Sequence, residues 1–178
     1  MLYDNITKAT TSPEFPMFTL KNTQDEHDHS KCVHQALEQA KVLCEKQGAR
    51  LTRLRRQILE LVWQSHKPLG AYALMDMLAD NSDRKRVAPP TVYRSLDFLL
   101  EQGLIHKVHS LNAYMGCSHP TQKDSEALFI CGTCGHTEEI RSNSIQQAIN
   151  LAASQHRFTV NQQILEVVGL CNQCKGKK

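Results

Sequence analysis

The sequence lacks the features of a membrane protein, a secreted protein or an enzyme of a common class. No apolar stretch reaches the roughly 20 residues that a transmembrane helix requires. The N-terminus has no basic segment followed by an apolar core, so we expect no secretory signal and a cytoplasmic protein. It also has no glycine-rich phosphate loop, no serine nucleophile motif and no His-Glu-x-x-His helix. These absences favour a soluble protein without enzymatic activity.

Cysteine is what the sequence does have, with seven in 178 residues. Cytoplasmic thiols stay reduced and the count is odd, so metal binding explains clustered cysteines better than disulfides do. The pairs Cys131-Gly-Thr-Cys134 and Cys171-Asn-Gln-Cys174 can each turn two thiolates toward one tetrahedral ion. Together they predict a structural zinc site of four sulfurs. Redox dithiols, separate ions or an iron site are the alternatives.

Apolar periodicity predicts a helical first half that ends in a hairpin. Residues 1–30 have the composition of a mobile tail. Four helices follow, from about Lys31 to Gly48, from Thr52 to before Pro68, over Ala71–Asp80 and over Thr91–Gln102, and then two strands, Leu104–Val108 and Ala113–Gly116. This order is typical of a winged helix-turn-helix, whose last helix enters the major groove of DNA. Residues 31–110 hold 13 Lys and Arg against 8 Asp and Glu, which weakly favours a polyanionic partner.

The second half has a different pattern. It predicts strands over Ala127–Cys131, His136–Arg141 and Arg157–Val168, with a helix over Asn143–Gln155. We therefore predict an α+β protein with a winged-helix domain (31–111), a hinge (112–120) and an α/β domain (121–178). The apolar strands around Ala127–Ile130 and Leu165–Val168 are expected to pair across a two-fold axis in a dimer.

Two motifs resemble those of a known family. The segment from Pro90-Thr-Val-Tyr-Arg to Gly103-Leu-Ile-His106 resembles the recognition-helix signature of the ferric uptake regulator family, and the two Cys-x-x-Cys pairs resemble its structural zinc site. The resemblance extends from about Lys31 to Cys174, with helix, wing and cysteine pairs in the family's order. It implies a homodimer with an N-terminal winged-helix DNA-binding domain and a C-terminal dimerisation domain.

A second metal site follows from the same resemblance. Gly116-Cys-Ser-His-Pro120 is similar to the zinc-sensing members of the family, because iron-sensing members usually carry a His-rich run at this place. This similarity implies a sensory site of His106, Cys117, His119 and Glu139, and so two Zn²⁺ per chain. The thiolate favours zinc over ferrous iron or manganese on softness. His109, on the other face of the strand, is the alternative to His106.

The resemblance also implies which residues meet DNA. Arg94 can bond two acceptors of one guanine, and Tyr72 can press on thymine methyls or a phosphate. Core packing is the alternative for Tyr72, and a phosphate contact is the alternative for Arg94. The remaining residues expected at the DNA are Thr91 and Tyr93 of the recognition helix and, as phosphate contacts, Arg53, Arg55, Arg56, Arg84, Lys85 and Arg86. A solvated face is the alternative for each of these basic residues.

The resemblance thus implies a cytoplasmic, zinc-responsive repressor that binds palindromic double-stranded operator DNA as a homodimer and shuts off zinc-uptake genes. An iron- or peroxide-sensing regulator of the same family is one alternative, and Cys117 discriminates against it. A thiol- or zinc-handling protein that binds no DNA is another. The segment that holds His27, His29, Cys32 and His34 could be an auxiliary metal-binding or docking tail.

Overall fold

The protein folds into a helical half followed by a half built on a small sheet. The computed structural model describes residues 29–65, 67–80, 87–120 and 126–176. Within these ranges the elements in chain order are α1 (His29–Lys46), α2 (Arg53–Trp63), β1 (Leu69–Gly70), α3 (Ala71–Asp80), α4 (Pro89–Glu101), β2 (Ile105–Val108), β3 (Ala113–Gly116), β4 (Glu126–Cys131), β5 (Thr137–Arg141), α5 (Asn143–Gln155), β6 (Leu165–Gly169) and α6 (Asn172–Lys175). This order confirms the predicted α+β class. Of the predicted tail, residues 29 and 30 form the start of α1 and the rest lies outside the described residues.

The four long helices of the first half enclose one apolar core. Each helix contributes at least one side chain that is at most 6% exposed: Leu37 from α1, Ile58 from α2, Leu74 from α3 and Leu96 from α4. Val42 of α1 lies outside this core and is 47% exposed. The inward stripe of α1 runs through Leu37, Ala40 and Cys44 at helical spacing, and Val42 lies off that stripe.

Local chemistry fixes where these helices begin. The side chain of Thr52 accepts a hydrogen bond from the backbone N–H of Arg55, as expected of the cap of α2. α4 begins at Pro89, two residues before the predicted Thr91. Proline has no N–H to lose in a first turn and its φ is already helical, so both prolines lie inside the helix rather than before it.

The predicted wing is present and has one extra strand. β2 and β3 pair antiparallel, and β1 adds to β3 to give the order β1-β3-β2. β1 has two residues, too few for a period-2 pattern to be detected in the sequence. Asn112, with φ 46°, forms part of the turn between β2 and β3.

The second sheet has the order β5-β4-β6, antiparallel between β4 and β5 and parallel between β4 and β6. The prediction of a strand over Arg157–Val168 was wrong in its first part, because the strand covers only Leu165–Gly169. Arg157 has a left-handed φ of 52° and the N–H of Phe158 donates to Ala153, which closes the C-terminus of α5. The residues expected to begin a strand are therefore used to end a helix.

Strand order also corrects the predicted dimer contact. β4, which contains Ala127–Ile130, is the central strand, and its two edges are occupied by β5 and β6. It therefore has no free edge to pair across a two-fold axis. β6 is an edge strand of this sheet, so Leu165–Val168 retains that capacity. Every helix within the described ranges is too short or too polar to cross a membrane.

The two halves are joined by an apolar contact between the wing and the second sheet. Val108 of β2 is fully buried against Leu128 and Ile130 of β4, and Met115 of β3 packs on the same cluster. The wing therefore contacts the face of the second sheet, and side chains on that face can meet side chains of the wing.

Candidate metal centres and nucleic-acid face

Both Cys-x-x-Cys pairs come together at one end of the second sheet. Cys131 ends β4 and Cys134 lies in the β4–β5 turn, while Cys171 and Cys174 flank the start of α6 after β6. Their four sulfur atoms all lie within 4.8 Å of one another. The parallel pairing of β4 with β6 places both pairs at the same edge of the sheet. The structure thus brings together all four cysteines of the predicted structural site.

The geometry and chemistry of this group fit a zinc ion. The Sγ atoms of Cys134 and Cys171 are 3.7 Å apart, and the edge of a tetrahedron with Zn–S bonds of 2.3 Å is about 3.8 Å. The backbone N–H of Cys171 donates to the sulfur of Cys131 and holds the pKa of that thiol at about 5. Hydrogen bonding with the Cys171 side chain raises the pKa of Cys174 to about 12. One sulfur is thus already a thiolate, the form that ligates metals.

A second group of donors lies between the wing and the second sheet. His106 of β2, Cys117 just after β3 and Glu139 of β5 each place one donor atom within 4.8 Å of the other two. The Nε2 of His106 is 3.7 Å from the Oε2 of Glu139. Cys117 is 5% exposed. We call these three residues the hinge site. Imidazole, thiolate and carboxylate in a largely buried place form a donor set that suits zinc.

The predicted ligand His119 and the alternative ligand His109 lie outside this group. His119 has its Nδ1 3.9 Å from the Oε1 of Glu139, but its side chain is 55% exposed and it does not belong to the set of mutually close donors. It lies at the rim of the hinge site. His109 is in the turn after β2 and is exposed, so His106 is the wing histidine that the structure places with Cys117.

Glu139 is held in place by neighbours that the sequence did not reveal. The backbone N–H of Ser118 donates to its Oε2 over 3.1 Å, and the Nη2 of Arg141 is 3.6 Å from its Oε1. The Glu139 side chain is only 6% exposed, and a buried carboxylate requires cationic or hydrogen-bonding partners. The strand period of two was a usable signal for Arg141, because residues two apart share a face.

A cleft of ≈ 830 Å³ lies between the two halves, and Glu139 is the residue of the hinge site that lines it. Trp63 of α2 and Met115 and Gly116 of β3 line the cleft together with Glu139 of β5 and Val167 of β6. Trp63 is the single tryptophan of the sequence. Its indole lies against Gly116, the residue before Cys117.

The exposed side of the helical half carries most of the residues expected at DNA. Thr91, Tyr93 and Arg94 lie on the outward side of α4, opposite the buried Val92 and Leu96. Tyr72 is 75% exposed, so the core-packing alternative for it was wrong. Arg53 and Arg56 at the start of α2 are also exposed. The predicted phosphate contacts Arg84, Lys85 and Arg86 lie outside the described residues.

Arg55 is the exception among the arginines of α2. Its guanidinium carbon is 3.5 Å from the ring centroid of Phe98 in α4, and its Nη1 donates to the backbone oxygen of Arg50 over 2.6 Å. A guanidinium stacked on an aromatic ring contributes a cation–π attraction. Arg55 therefore links α2 to α4, a packing role that was not expected from the sequence.

Comparison with known proteins decides the family. A family model described as the ferric uptake regulator family matches residues 46–168. The chain belongs to the ferric uptake regulator family. The zinc uptake regulation protein of Escherichia coli (strain K12) is a relative, 36% identical over 145 residues, which are 80% of this chain and 82% of that protein.

Solved structures of similar proteins agree with this membership. A zinc uptake regulator complexed with zinc and DNA is 35% identical, with a TM-score of 0.74 over 80% of this chain and 95% of that one. The holo form of XcZur is 34% identical, with a TM-score of 0.71 over 79% of this chain and 97% of that one. Membership of the ferric uptake regulator family confirms the resemblance found in the sequence. As a regulator the chain is not an enzyme, as was predicted.

The Cys32 and His34 side chains of the predicted auxiliary segment lie on α1. They join neither of the two donor groups found among the described residues of this family member. His27 lies outside the described ranges. The auxiliary role proposed for this segment therefore stays a prediction.

Proposed function

We propose that this protein is a zinc-responsive transcriptional repressor of the cytoplasm that binds palindromic operator DNA as a homodimer and represses genes of zinc uptake. The observation that carries the proposal is the hinge site, whose donors come from both halves of the chain. His106 and Cys117 belong to the wing and its exit, and Glu139 belongs to the second sheet. A metal bound there would limit how the winged half is oriented. We take 31–111, 112–120 and 121–178 as the DNA-binding domain, the hinge and the dimerisation domain.

The roles of the residues follow from where they lie. His106, Cys117 and Glu139 would hold one Zn²⁺, with His119 at the rim as the fourth donor, and the four cysteines near α6 would hold a second, structural ion. Zn²⁺ is a divalent cation that binds nitrogen, sulfur and oxygen ligands, usually four of them in a tetrahedral arrangement. Ser118 orients the carboxylate of Glu139 through its backbone N–H.

Control of DNA binding then follows from a shift of populations. Without bound metal the two winged halves of a dimer sample many separations, and only some of these match two half-sites of an operator. Because the donors of the hinge site come from both the wing and the second sheet, metal binding favours the orientation that brings them together and raises the affinity for DNA. Arg94 and Tyr72 would read bases, Thr91 and Tyr93 would contact the recognition site, and Arg53, Arg56, Arg84, Lys85 and Arg86 would contact phosphates.

The second half offers a surface for the dimer. Eight of the twelve large apolar side chains that are exposed among the described residues lie in it: Phe129, Leu151, Phe158, Val160, Ile164, Val167, Val168 and Leu170. α5 has no buried residue in the single chain, and it carries one of these exposed side chains, Leu151. An exposed apolar surface of this kind indicates a protein partner, and a second copy of the chain fits a symmetric operator.

A charge on the edge strand tests this dimer surface. Val167→Lys in β6 is expected to weaken the dimer in analytical ultracentrifugation, because it places an ammonium group in the apolar surface. Val42→Lys on α1 is the matched control, since Val42 is exposed to a similar degree but lies in the winged half. If both variants weakened the dimer equally, the dimer interface would not be the apolar surface of the second half.

Metal content and DNA binding test the zinc proposal together. Wild type should contain two zinc ions per chain, and Cys117→Ser should contain one and lose zinc-dependent binding to a promoter fragment of a zinc-uptake gene. Cys32→Ser is the matched control, because Cys32 belongs to neither donor group. One ion in all three proteins, or DNA binding that ignores free zinc, would contradict the proposal and favour the iron or redox alternatives.

A further inference from the structure

Glu166 of β6 receives two hydrogen bonds from the tip of the wing. The backbone N–H groups of His109 and Ser110 donate to its two carboxylate oxygens, one to each, with 2.9 Å between Ser110 N and Oε2. These amides belong to the turn that joins β2 to β3. A single carboxylate of the second sheet thus contacts two successive amides of the wing, separated from it by more than fifty residues of sequence.

The position of Glu166 on the sheet relates it to the hinge site. Leu128 of β4 is paired with Glu139 of β5 on one side and with Glu166 of β6 on the other. Residues that pair directly across neighbouring strands have their side chains on the same face. Glu139, Leu128 and Glu166 therefore form one row across the sheet, and each of the three meets the wing.

The three contacts in this row differ in kind. Glu139 reaches the wing through the donors of the hinge site, so that contact depends on bound metal in the proposed function. Leu128 packs on Val108 in the apolar cluster. Glu166 binds the wing turn through hydrogen bonds that involve no metal. Its partners are backbone amides, which no substitution in the turn other than proline removes.

The charge state of Glu166 suits this contact at neutral pH. Burial alone would raise the pKa of its carboxyl group, but the hydrogen bonds from Ser110 and from the His109 amide, with the nearby His109 ring, lower it below its usual value. The carboxylate is therefore ionised at neutral pH, and charge-assisted hydrogen bonds are stronger than neutral ones.

We propose that Glu166 is a positioning residue that fastens the tip of the wing to the second sheet without metal, so that zinc at the hinge site has only to fix the rotation of the winged half about this point. The inference rests on the proposed function and adds the residue that prepares it. With the tip already held, His106 and Cys117 remain near Glu139, and less conformational entropy is lost when the metal binds.

Removal of the carboxylate should then weaken zinc binding and DNA binding together. Affinity of the hinge site for zinc, and zinc-dependent affinity for DNA, are both expected to fall about tenfold, within the usual range of coupling between sites. The structural site is not part of this coupling, and its zinc should remain.

The test compares Glu166→Gln and Glu166→Ala with Glu138→Gln in the full-length dimer. Gln keeps the volume of Glu but presents an NH₂ group to one of the two backbone amides. An NH₂ group cannot accept a hydrogen bond from a backbone N–H, so one of the two hydrogen bonds is lost. Glu138 is exposed on β5 and, as the neighbour of Glu139 in the strand, points to the other face. It serves as the matched control for loss of one carboxylate.

Amide hydrogen exchange of residues 109–112 is the direct readout, measured on protein that holds only its structural zinc. We expect faster exchange of the His109 and Ser110 amides in both Glu166 variants and no change in the control. Unchanged exchange would overturn the contact, and faster exchange with unchanged zinc affinity at the hinge site would overturn its role in preparing that site. If the proposed function itself were wrong, the wild-type protein would bind DNA equally well with and without zinc.

A thermal melt separates this effect from misfolding. The Gln variant should unfold within a few degrees of wild type, on the order expected for one lost surface hydrogen bond. A Gln variant that retains its melting temperature and its zinc affinity, and shows wild-type exchange at the turn, would also overturn the proposal.

Discussion

Trp63 and Gly116 are in contact with no room for a side chain between them. A Cβ added to Gly116 would lie 2.4 Å from the Cε2 atom of the Trp63 indole. Trp63 ends α2, and Gly116 ends β3 one residue before Cys117. The end of α2 is thereby packed directly against the strand that precedes Cys117 of the hinge site. The position of the Cys117 thiol therefore depends on the packing of an aromatic ring that is more than fifty residues away in sequence.

Gly116→Ala should consequently disturb both stability and metal binding. We expect a loss of about 1–3 kcal/mol in the free energy of unfolding, as for other overpacked sites, because the indole or the strand must move. Zinc affinity of the hinge site should fall as Cys117 shifts. Chemical denaturation and zinc titration measure the two effects. Gly70→Ala is the control, since a Cβ there meets nothing within 4 Å, and equal behaviour of the two variants would refute this account.

Arg141 is expected to lower the zinc affinity of the hinge site. Its guanidinium is 3.6 Å from the Oε1 of Glu139, so it competes with a metal for that carboxylate and repels the cation. Arg141→Gln should raise zinc affinity by about threefold to tenfold, a modest factor because the Arg141 side chain is partly exposed. Competition with a chromophoric chelator measures it. Arg56→Gln on α2 is the control and should leave the zinc affinity unchanged. A higher zinc affinity in that variant would mean that the net charge of the protein, and not the contact with Glu139, sets the effect.

The four-cysteine site should stabilise the second half of the chain. It ties the β4–β5 turn to the residues after β6, and the single-chain structure gives α5 no buried residue with which to compensate. Cys174→Ser is expected to lower the unfolding temperature of this half by on the order of 10–20 °C, because a few kcal/mol of metal-binding free energy is lost from folding. Calorimetry with metal analysis tests this, with Cys32→Ser as control. An unchanged melting profile together with lost zinc would contradict a structural role.

The two kinds of arginine at the DNA face should be separable by experiment. Arg94→Ala on the recognition helix is expected to lower affinity for the operator by about tenfold to a hundredfold and to relax preference at one base position. Arg53→Ala should weaken binding to all sequences alike and reduce the salt dependence by about one counterion. Titrations at several salt concentrations on operator and scrambled DNA distinguish them. If Arg94→Ala lowered the affinity for operator and scrambled DNA equally, Arg94 would be a phosphate contact and not a base-reading residue.

Much of the fold could be predicted because its signals are local. The helices of the first half follow from apolar spacing, and Thr52 marks the start of α2. The spacing of the four cysteines is enough to predict their metal site. Errors arose where a tertiary context decides. Arg157 ends α5 by adopting a left-handed backbone, and β4 lost its expected dimer role because strand order, which no local pattern encodes, places it in the centre of the sheet.

The hinge site shows the same division. His106, Cys117 and Glu139 came from a family resemblance, and the structure brings their donor atoms together. The neighbours that orient and tune them could not be read in the same way. Glu166 meets the wing turn only because β6 lies parallel to β4 in a particular register, and a shift of one residue would turn its side chain to the other face.

The assignment of the hinge site is tested most directly by comparing two histidines of the wing. Operator binding should be titrated against buffered free zinc for wild type, His106→Gln and His109→Gln. The account predicts that His106→Gln loses zinc-dependent binding while retaining one zinc per chain. It predicts that His109→Gln responds as wild type does, because Glu166 binds the backbone amide of His109, which the substitution keeps. A normal zinc response in His106→Gln, or its loss in His109→Gln alone, would contradict the proposed site.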